Sequence, residues 1–290
     1  MKIDQATGLR NRLETMRESK QAKTIAVISG KGGVGKSNIT LNFALGLLRH
    51  GKKILIMDMD IGMGNIDILL GRQIERTIVD MFQRRLPIQS IIEQGPENLH
   101  YIAAGSGFSD IYAMDTKTKE FFFQQYQSLL MHYDYIFFDM GAGITNDSLS
   151  FILAAEECLL VTTPEPTAIT DGYSMIKHIA SHNNMLPIRA IMNRAQSNMQ
   201  GHNMLVRFQK VIQQFLQINI HILGSLPEDQ TVRAAVIHQT PFIIFQEKSA
   251  ISKATKKLVR TYLNEVDEYK AEKGNSSSFL QKLKRLWTER

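Results

Sequence analysis

Short apolar runs recur along the chain, each followed by a polar or glycine-containing break and then by a stretch with helical spacing. The runs cover residues 24–29, 53–58, 99–103, 135–139, 158–162, 188–192 and 220–226. They are continuously apolar rather than alternating, the pattern of strands covered on both faces. Between the first two runs, NITLNFALGLL at 38–48 reads as a helix. Strands alternating with helices predict an α/β fold: a doubly wound, mostly parallel sheet flanked by helices. The pattern predicts a single domain over residues 23–268 with short N- and C-terminal appendages. Residues 1–22 form an arm, 269–278 a linker of AEKGNSSS character, and 279–290 a short terminal helix. Ligands on such sheets bind at the carboxyl ends of the strands, so the breaks after the strands are where chemistry is sought.

The first break reads GKGGVGKS, from Gly30 to Ser37. It fits the phosphate-loop pattern, and it has the strand before and the helix after that the pattern requires. Gly30, Gly32, Gly33 and Gly35, with Val34 between them, let backbone amides turn inward as an anion nest at a helix N-terminus. Lys36 suits the β- and γ-phosphates, Ser37 suits Mg²⁺, and Asn38 opens the helix. Lys31 is not needed by a generic phosphate loop. Asp58 and Asp60 end the second strand and Asp139 ends another. Carboxylates there, beside a phosphate loop, suit holding Mg²⁺ through water, expected of Asp58 and Asp139, and positioning an attacking water.

The loop resembles the deviant Walker A motif, KGGxGK[ST], of the MinD/ParA family of P-loop ATPases. The resemblance extends over roughly residues 23–265. It implies ATP/ADP and Mg²⁺ as ligands and an ATP-dependent homodimer in which Lys31 contacts the nucleotide of the opposite subunit. DMDIGMGNID resembles the family's switch I segment, with Asp60 as the catalytic aspartate. DMGAG resembles its Walker B and switch II segment, with Asp139 as the carboxylate and Gly141 where cell-division MinD has proline. By the same resemblance Lys31, Lys36, Asp60 and Asp139 are the catalytic set. Asn193, Arg194, Pro227, Glu228 and Asp229 face the adenine, and Pro164, Glu165 and Asp171 face the dimer partner.

The tail, FLQKLKRLWTER, places Phe279, Leu280, Leu283, Leu286 and Trp287 on one helical stripe, with Lys282 and Lys284 on other faces. A basic amphipathic helix after a linker fits an anionic membrane surface; the same pattern fits a helix docked on a partner or on its own domain. It also resembles the MinD-type membrane-targeting helix. In the arm, Asp4, Gln5 and Ala6 followed by Leu9 and Arg10 resemble the DQAxxLR element of the FlhG group (also called FleN or YlxH). That group controls flagellar number and position, and its element activates the signal-recognition-type GTPase FlhF. The resemblance implies FlhF and flagellar basal-body (C-ring) proteins as partners.

The chain has 290 residues, 43% hydrophobic and 21% charged, enough for a sizeable core. Its single cysteine, Cys158, excludes an intrachain disulfide framework and fits core packing. It cannot supply the paired cysteines of an electron-transfer protein of the nitrogenase iron-protein type. Without an apolar leader or membrane-length run, a cytoplasmic protein is expected, reversibly peripheral at the inner face of the cell membrane. The net charge of +6 is compatible with a ParA-type partition ATPase on DNA. The apolar tail stripe argues against nucleic acid as partner, because phosphate binding has no use for Phe279, Leu283 or Trp287. Cell-division MinD is the other reading left open.

Overall fold

The computed structural model describes residues 21–105, 115–272 and 279–288. Asp4, Gln5, Ala6, Leu9 and Arg10 of the arm lie outside them. Among the described residues eight strands form one sheet: β1 (Lys23–Ile28), β2 (Ile54–Met59), β3 (Glu93–Gln94), β4 (His100–Ile102), β5 (Tyr135–Met140), β6 (Glu157–Thr162), β7 (Ile188–Ala195) and β8 (His221–Pro227). Their order is β3-β4-β2-β5-β1-β6-β7-β8, and every pair is parallel except β3 with β4. β1 sits in the middle, between β5 and β6, and the chain crosses to either side of it. The crevice at its carboxyl end is where such sheets hold ligands. The seven predicted strands are all present within one to three residues at their ends. The antiparallel edge strand β3 is new; two polar residues carry no apolar signal to read.

The helices are α1 (Lys36–Leu48), α2 (Ile66–Leu70), α3 (Ile78–Arg84), α4 (Thr116–Leu129), α5 (Asn146–Ala154), α6 (Pro166–His182), α7 (Asn198–Leu216), α8 (Gln230–Ile237), α9 (Phe242–Phe245), α10 (Ala250–Glu272) and α11 (Phe279–Thr288). They cover both faces of the sheet, so successive strand residues feed two cores. Ala26, Ile28, Ile136 and Phe138 face one core, which α4, α5, α6, α7 and α11 close. Ile25, Val27, Tyr135 and Phe137 face the other, closed by α1, α9 and α10. This two-sided burial is why apolar residues run through consecutive strand positions instead of alternating. Cys158 is fully buried, as core packing requires. α10 runs to Glu272, past the expected domain end at 268, so helical backbone enters the segment with linker composition.

At the amino ends of the strands, opposite the glycine loop, a buried charge cluster ties β1, β6, β7 and α10 together. Glu157 pairs with Lys23 at 2.7 Å and with Arg189, accepts a hydrogen bond from the Tyr262 hydroxyl at 2.8 Å, and Arg189 also pairs with Glu265. Burial alone would raise the Glu157 pKa, but Lys23, Arg189 and the Tyr262 hydroxyl outweigh it and hold the carboxyl below its ordinary range. A depressed carboxyl contributes stability above its unfolded pKa and loses it as pH falls through the folded one. Glu157→Ala, which takes the buried carboxylate from Lys23 and Arg189 and leaves Arg189 with Glu265, is therefore expected to cost about 3 kcal/mol. It is also expected to flatten the acid side of the stability–pH curve. Urea unfolding of both proteins from neutral pH downward checks this; equal midpoints would refute it.

The tail helix α11 lies on the domain. Phe279 and Leu283 are buried. The Phe279 ring centre is 4.8 Å from that of Tyr126 and 5.1 Å from that of Phe138. Trp287 lies 5.2 Å from Phe123 and 5.7 Å from Phe151, with the Lys119 ammonium over its ring. The two readings left open by the stripe are thereby narrowed: its apolar face is covered by its own α4, α5 and β5. Of the face a membrane would take, Phe279 and Leu283 are buried and Leu280, Leu286 and Trp287 half-buried in this conformation. No helix among the described residues is long and apolar enough to cross a membrane.

Candidate functional site

The loop between β1 and α1 is shaped by two contacts that only glycine permits. Gly35 has φ +91° and forms the left-handed N-cap of α1. Gly30 has no room for a side chain: a Cβ there would fall 2.2 Å from the Asp171 carbonyl carbon. The glycine loop is thus pressed onto α6, in the segment that carries Glu165 and Asp171. Lys31 follows the same direction. Its ammonium donates to Glu165 Oε2 and to Thr167 Oγ1, both at 3.2 Å, on a rim where the two charged side chains remain 43% and 57% exposed. Pro164 lies half-buried in the turn entering α6.

Lys36 turns the opposite way, inward. It is 7% exposed and donates to Asp139 Oδ1 at 2.8 Å. The Thr40 hydroxyl, one helical turn on, lies 3.0 Å from the same oxygen. Asp139 Oδ2 is buried and has no hydrogen-bond partner. A buried anionic oxygen left without a donor is costly. This oxygen and the Ser37 hydroxyl lining the cavity have the hard-oxygen chemistry of a hydrated Mg²⁺ site, so these residues fit the ion. Thr40 was not foreseen, although its spacing of four from Lys36 puts both on one face of α1.

Asp58 lies beside Asp139 in the register of β2 and β5. Expected to hold Mg²⁺ through water, it also grips backbone. It is fully buried, and its oxygens accept the amides of Asp60 at 3.0 Å, Asn65 at 2.8 Å and Ile66 at 3.2 Å. The carboxylate clamps the loop that carries Asp60. Burial first, and the Asp139 charge second, raise its pKa against those three amides. Asp60 lines the cavity. Burial raises its pKa, the Lys36 ammonium opposes this, and the Asp139 charge adds to it. A Cβ at Gly141 would lie 3.3 Å from Asp60 Oδ1, so glycine there leaves the carboxylate space.

Two adjoining cavities share Gly35, Asn38 and Arg194. One, about 260 Å³, is lined by Gly32, Gly33, Val34, Gly35, Lys36, Ser37 and Asp60, among others. The other, about 410 Å³, adds Asn193, Pro227, Glu228, Asp229 and apolar residues of α8, including Val232 and Val236. A phosphate-sized nest therefore opens into a larger slot formed by the ends of β7 and β8. All five residues expected to face a base gather there, and two also brace the loop. Asn193 donates to the Val34 carbonyl at 2.8 Å and Arg194 to the Gly33 carbonyl at 2.9 Å. Arg194 does so from a left-handed backbone, φ +56°. Asp229 is engaged otherwise: it caps α8 through the Thr231 amide and accepts the Ile251 amide. Of the residues expected to face a dimer partner, Lys31 meets Glu165, and the Asp171 backbone lies against Gly30.

Among known proteins, a family model described as ParA, NUBPL iron-transfer P-loop NTPase, matches residues 20–263. The antiactivator FleN of Pseudomonas aeruginosa is 35% identical over 75% of this chain and 78% of its own length. The flagellum site-determining protein YlxH of Helicobacter pylori is 30% identical over 81% of this chain and 80% of its own. Among solved structures, the septum site-determining protein MinD of Pyrococcus horikoshii, complexed with Mg-ADP, superposes with a TM-score of 0.68. It is 26% identical and covers 87% of this chain and 100% of that one.

Proposed function

The chain belongs to the MinD/ParA family of P-loop NTPases, in its FleN- and YlxH-like branch, and we propose that it is an ATP hydrolase working as a nucleotide-controlled dimer. In this reading it binds the membrane reversibly through residues 279–290 and controls flagellar number and placement. Its N-terminal arm stimulates the signal-recognition-type GTPase FlhF, and basal-body proteins are further partners. The flagellar assignment is supported by the likeness to the flagellum site-determining protein YlxH and by the DQAxxLR-like element at Asp4 to Arg10.

The observation that carries the hydrolase reading is the buried Lys36–Asp139 pair with its unmatched Asp139 Oδ2. The amides of the glycine loop and Lys36 bind the β- and γ-phosphates. Ser37 and Asp139 would hold Mg²⁺, which when bound neutralises charge on the phosphate oxygens. Asp60, set at the cavity wall by the Asp58 clamp, orients the attacking water. Lys31, exposed on the rim, serves the nucleotide across the dimer rather than its own. For that it exchanges Glu165 and Thr167 for the partner's phosphates. Asn193, Arg194 and the segment from Pro227 to Asp229 form the base slot.

Membrane binding requires α11 to leave the domain, since Phe279 and Leu283 are buried. Two released helices on one dimer would bind more tightly than one by effective concentration. Sedimentation with anionic liposomes in ADP and in ATP tests this. Wild type is expected to pellet with ATP and to stay largely in solution with ADP, and deletion of 279–290 to abolish pelleting. Pelleting unchanged by the deletion would exclude the tail as anchor.

A further inference from the structure

The docked tail leaves a groove between itself and α4. The cavity is about 620 Å³ and its exposed floor is mainly apolar. Phe123 and Leu130 from the α4 side and Leu280 and Trp287 from α11 line it. Phe123, Leu280 and Trp287 are only half-buried there. Half-covered aromatic and aliphatic side chains side by side, on a surface the domain's own core has not closed, have room for another apolar strip.

Gln21, the first described residue, is itself part of the groove wall. The next residue is fixed there: the Ala22 amide donates to the Leu130 carbonyl at 2.8 Å. The point at which residues 1–20 join the domain is therefore at the groove's mouth. Within them Leu9, Leu13 and Met16 recur at helical spacing, one narrow apolar stripe on an otherwise polar segment. Arg10 borders that stripe, and Glu120 on the groove wall offers it a carboxylate. The lengths agree. The five residues from Met16 to Gln21 span up to roughly 17 Å. The 14-residue α4 alongside is about 21 Å long.

We propose that the N-terminal arm docks in the groove between α4 and the tail helix, with Leu9, Leu13 and Met16 against Phe123, Leu280 and Trp287. The arm then holds down the tail, and whatever binds the arm uncovers the membrane-seeking helix. The docking stands on the groove and the chain's point of exit, and is independent of whether the loop hydrolyses ATP.

Trp287 is the chain's one tryptophan, so it reports the groove directly. Acrylamide quenching of its fluorescence is measured in the full-length protein with ADP, in Leu9→Ser/Leu13→Ser, and in a variant lacking residues 1–20. Both variants are expected to raise the quenching constant about twofold as the half-covered indole gains solvent. A second readout uses Arg17→Cys with Gln124→Cys and a short bismaleimide, Cys158 being buried and unreactive. An intrachain cross-link that the Leu9→Ser/Leu13→Ser changes abolish is expected. Unchanged quenching in both variants, no cross-link, or a cross-link found only between two chains overturns the proposal.

Discussion

Lys31→Ala is expected to leave the folded monomer intact and to abolish dimerisation by ATP. The Lys31–Glu165 contact is an exposed pair on the rim of α6, and such pairs contribute at most about 1 kcal/mol to folding. In the proposed dimer the lysine is a cation set against the partner's phosphates and buried between two subunits, so removing it leaves anionic oxygens unmatched at a cost of about 2–5 kcal/mol. ATP binding by the monomer should change little, because Lys36 and the loop amides remain. The dimer dissociation constant should rise on the order of a hundredfold or more. Titration of the mutant with ATP by static light scattering reads this. A mutant that dimerises at wild-type concentration would remove Lys31 from the interface.

The second large effect falls on turnover. Asp60→Ala should lower ATP hydrolysis by about 10²–10⁴-fold, the usual contribution of a positioned carboxylate to proton transfer and water orientation. Binding should survive, since Asp60 lines the cavity but makes no contact with the loop lysines comparable to the Lys36–Asp139 pair. The expected phenotype is a dimer that forms with ATP and persists, visible as phosphate release at background with a dimer mass in scattering. Asp58→Ala should behave differently. Removing the clamp on the Asp60, Asn65 and Ile66 amides disorganises the whole loop, so the same turnover loss should come with lower stability. An Asp60→Ala enzyme with normal phosphate release would show that another group positions the water.

Much of this was readable along the chain because burial on both faces leaves a simple mark. Strands such as Tyr135–Met140 are buried at every position and apolar at all but Asp139, and the loop at Gly30 to Ser37 follows one of them at the spacing phosphate chemistry needs. What local sequence did not carry is contact between distant segments. Nothing near Gly30 announces that Asp171 backbone will press against it, or that Lys31 will reach Glu165, 134 residues away. Asp58 reads like a metal carboxylate from its place at a strand end, and three amides of the following loop also claim it. The tail shows the same limit. A stripe from Phe279 to Trp287 is identical whether lipid, a partner or the chain's own α4 and α5 covers it, and only packing against Tyr126, Phe138 and Phe151 decides.

Nucleotide is expected to set the oligomeric state through the loop at Gly30 to Ser37. Light scattering of the wild-type protein with Mg²⁺, first with ADP and then with a non-hydrolysable ATP analogue, tests it most directly. The prediction is a monomer of 32.9 kDa with ADP and twice that mass with the analogue. The same mass in both nucleotides would contradict it.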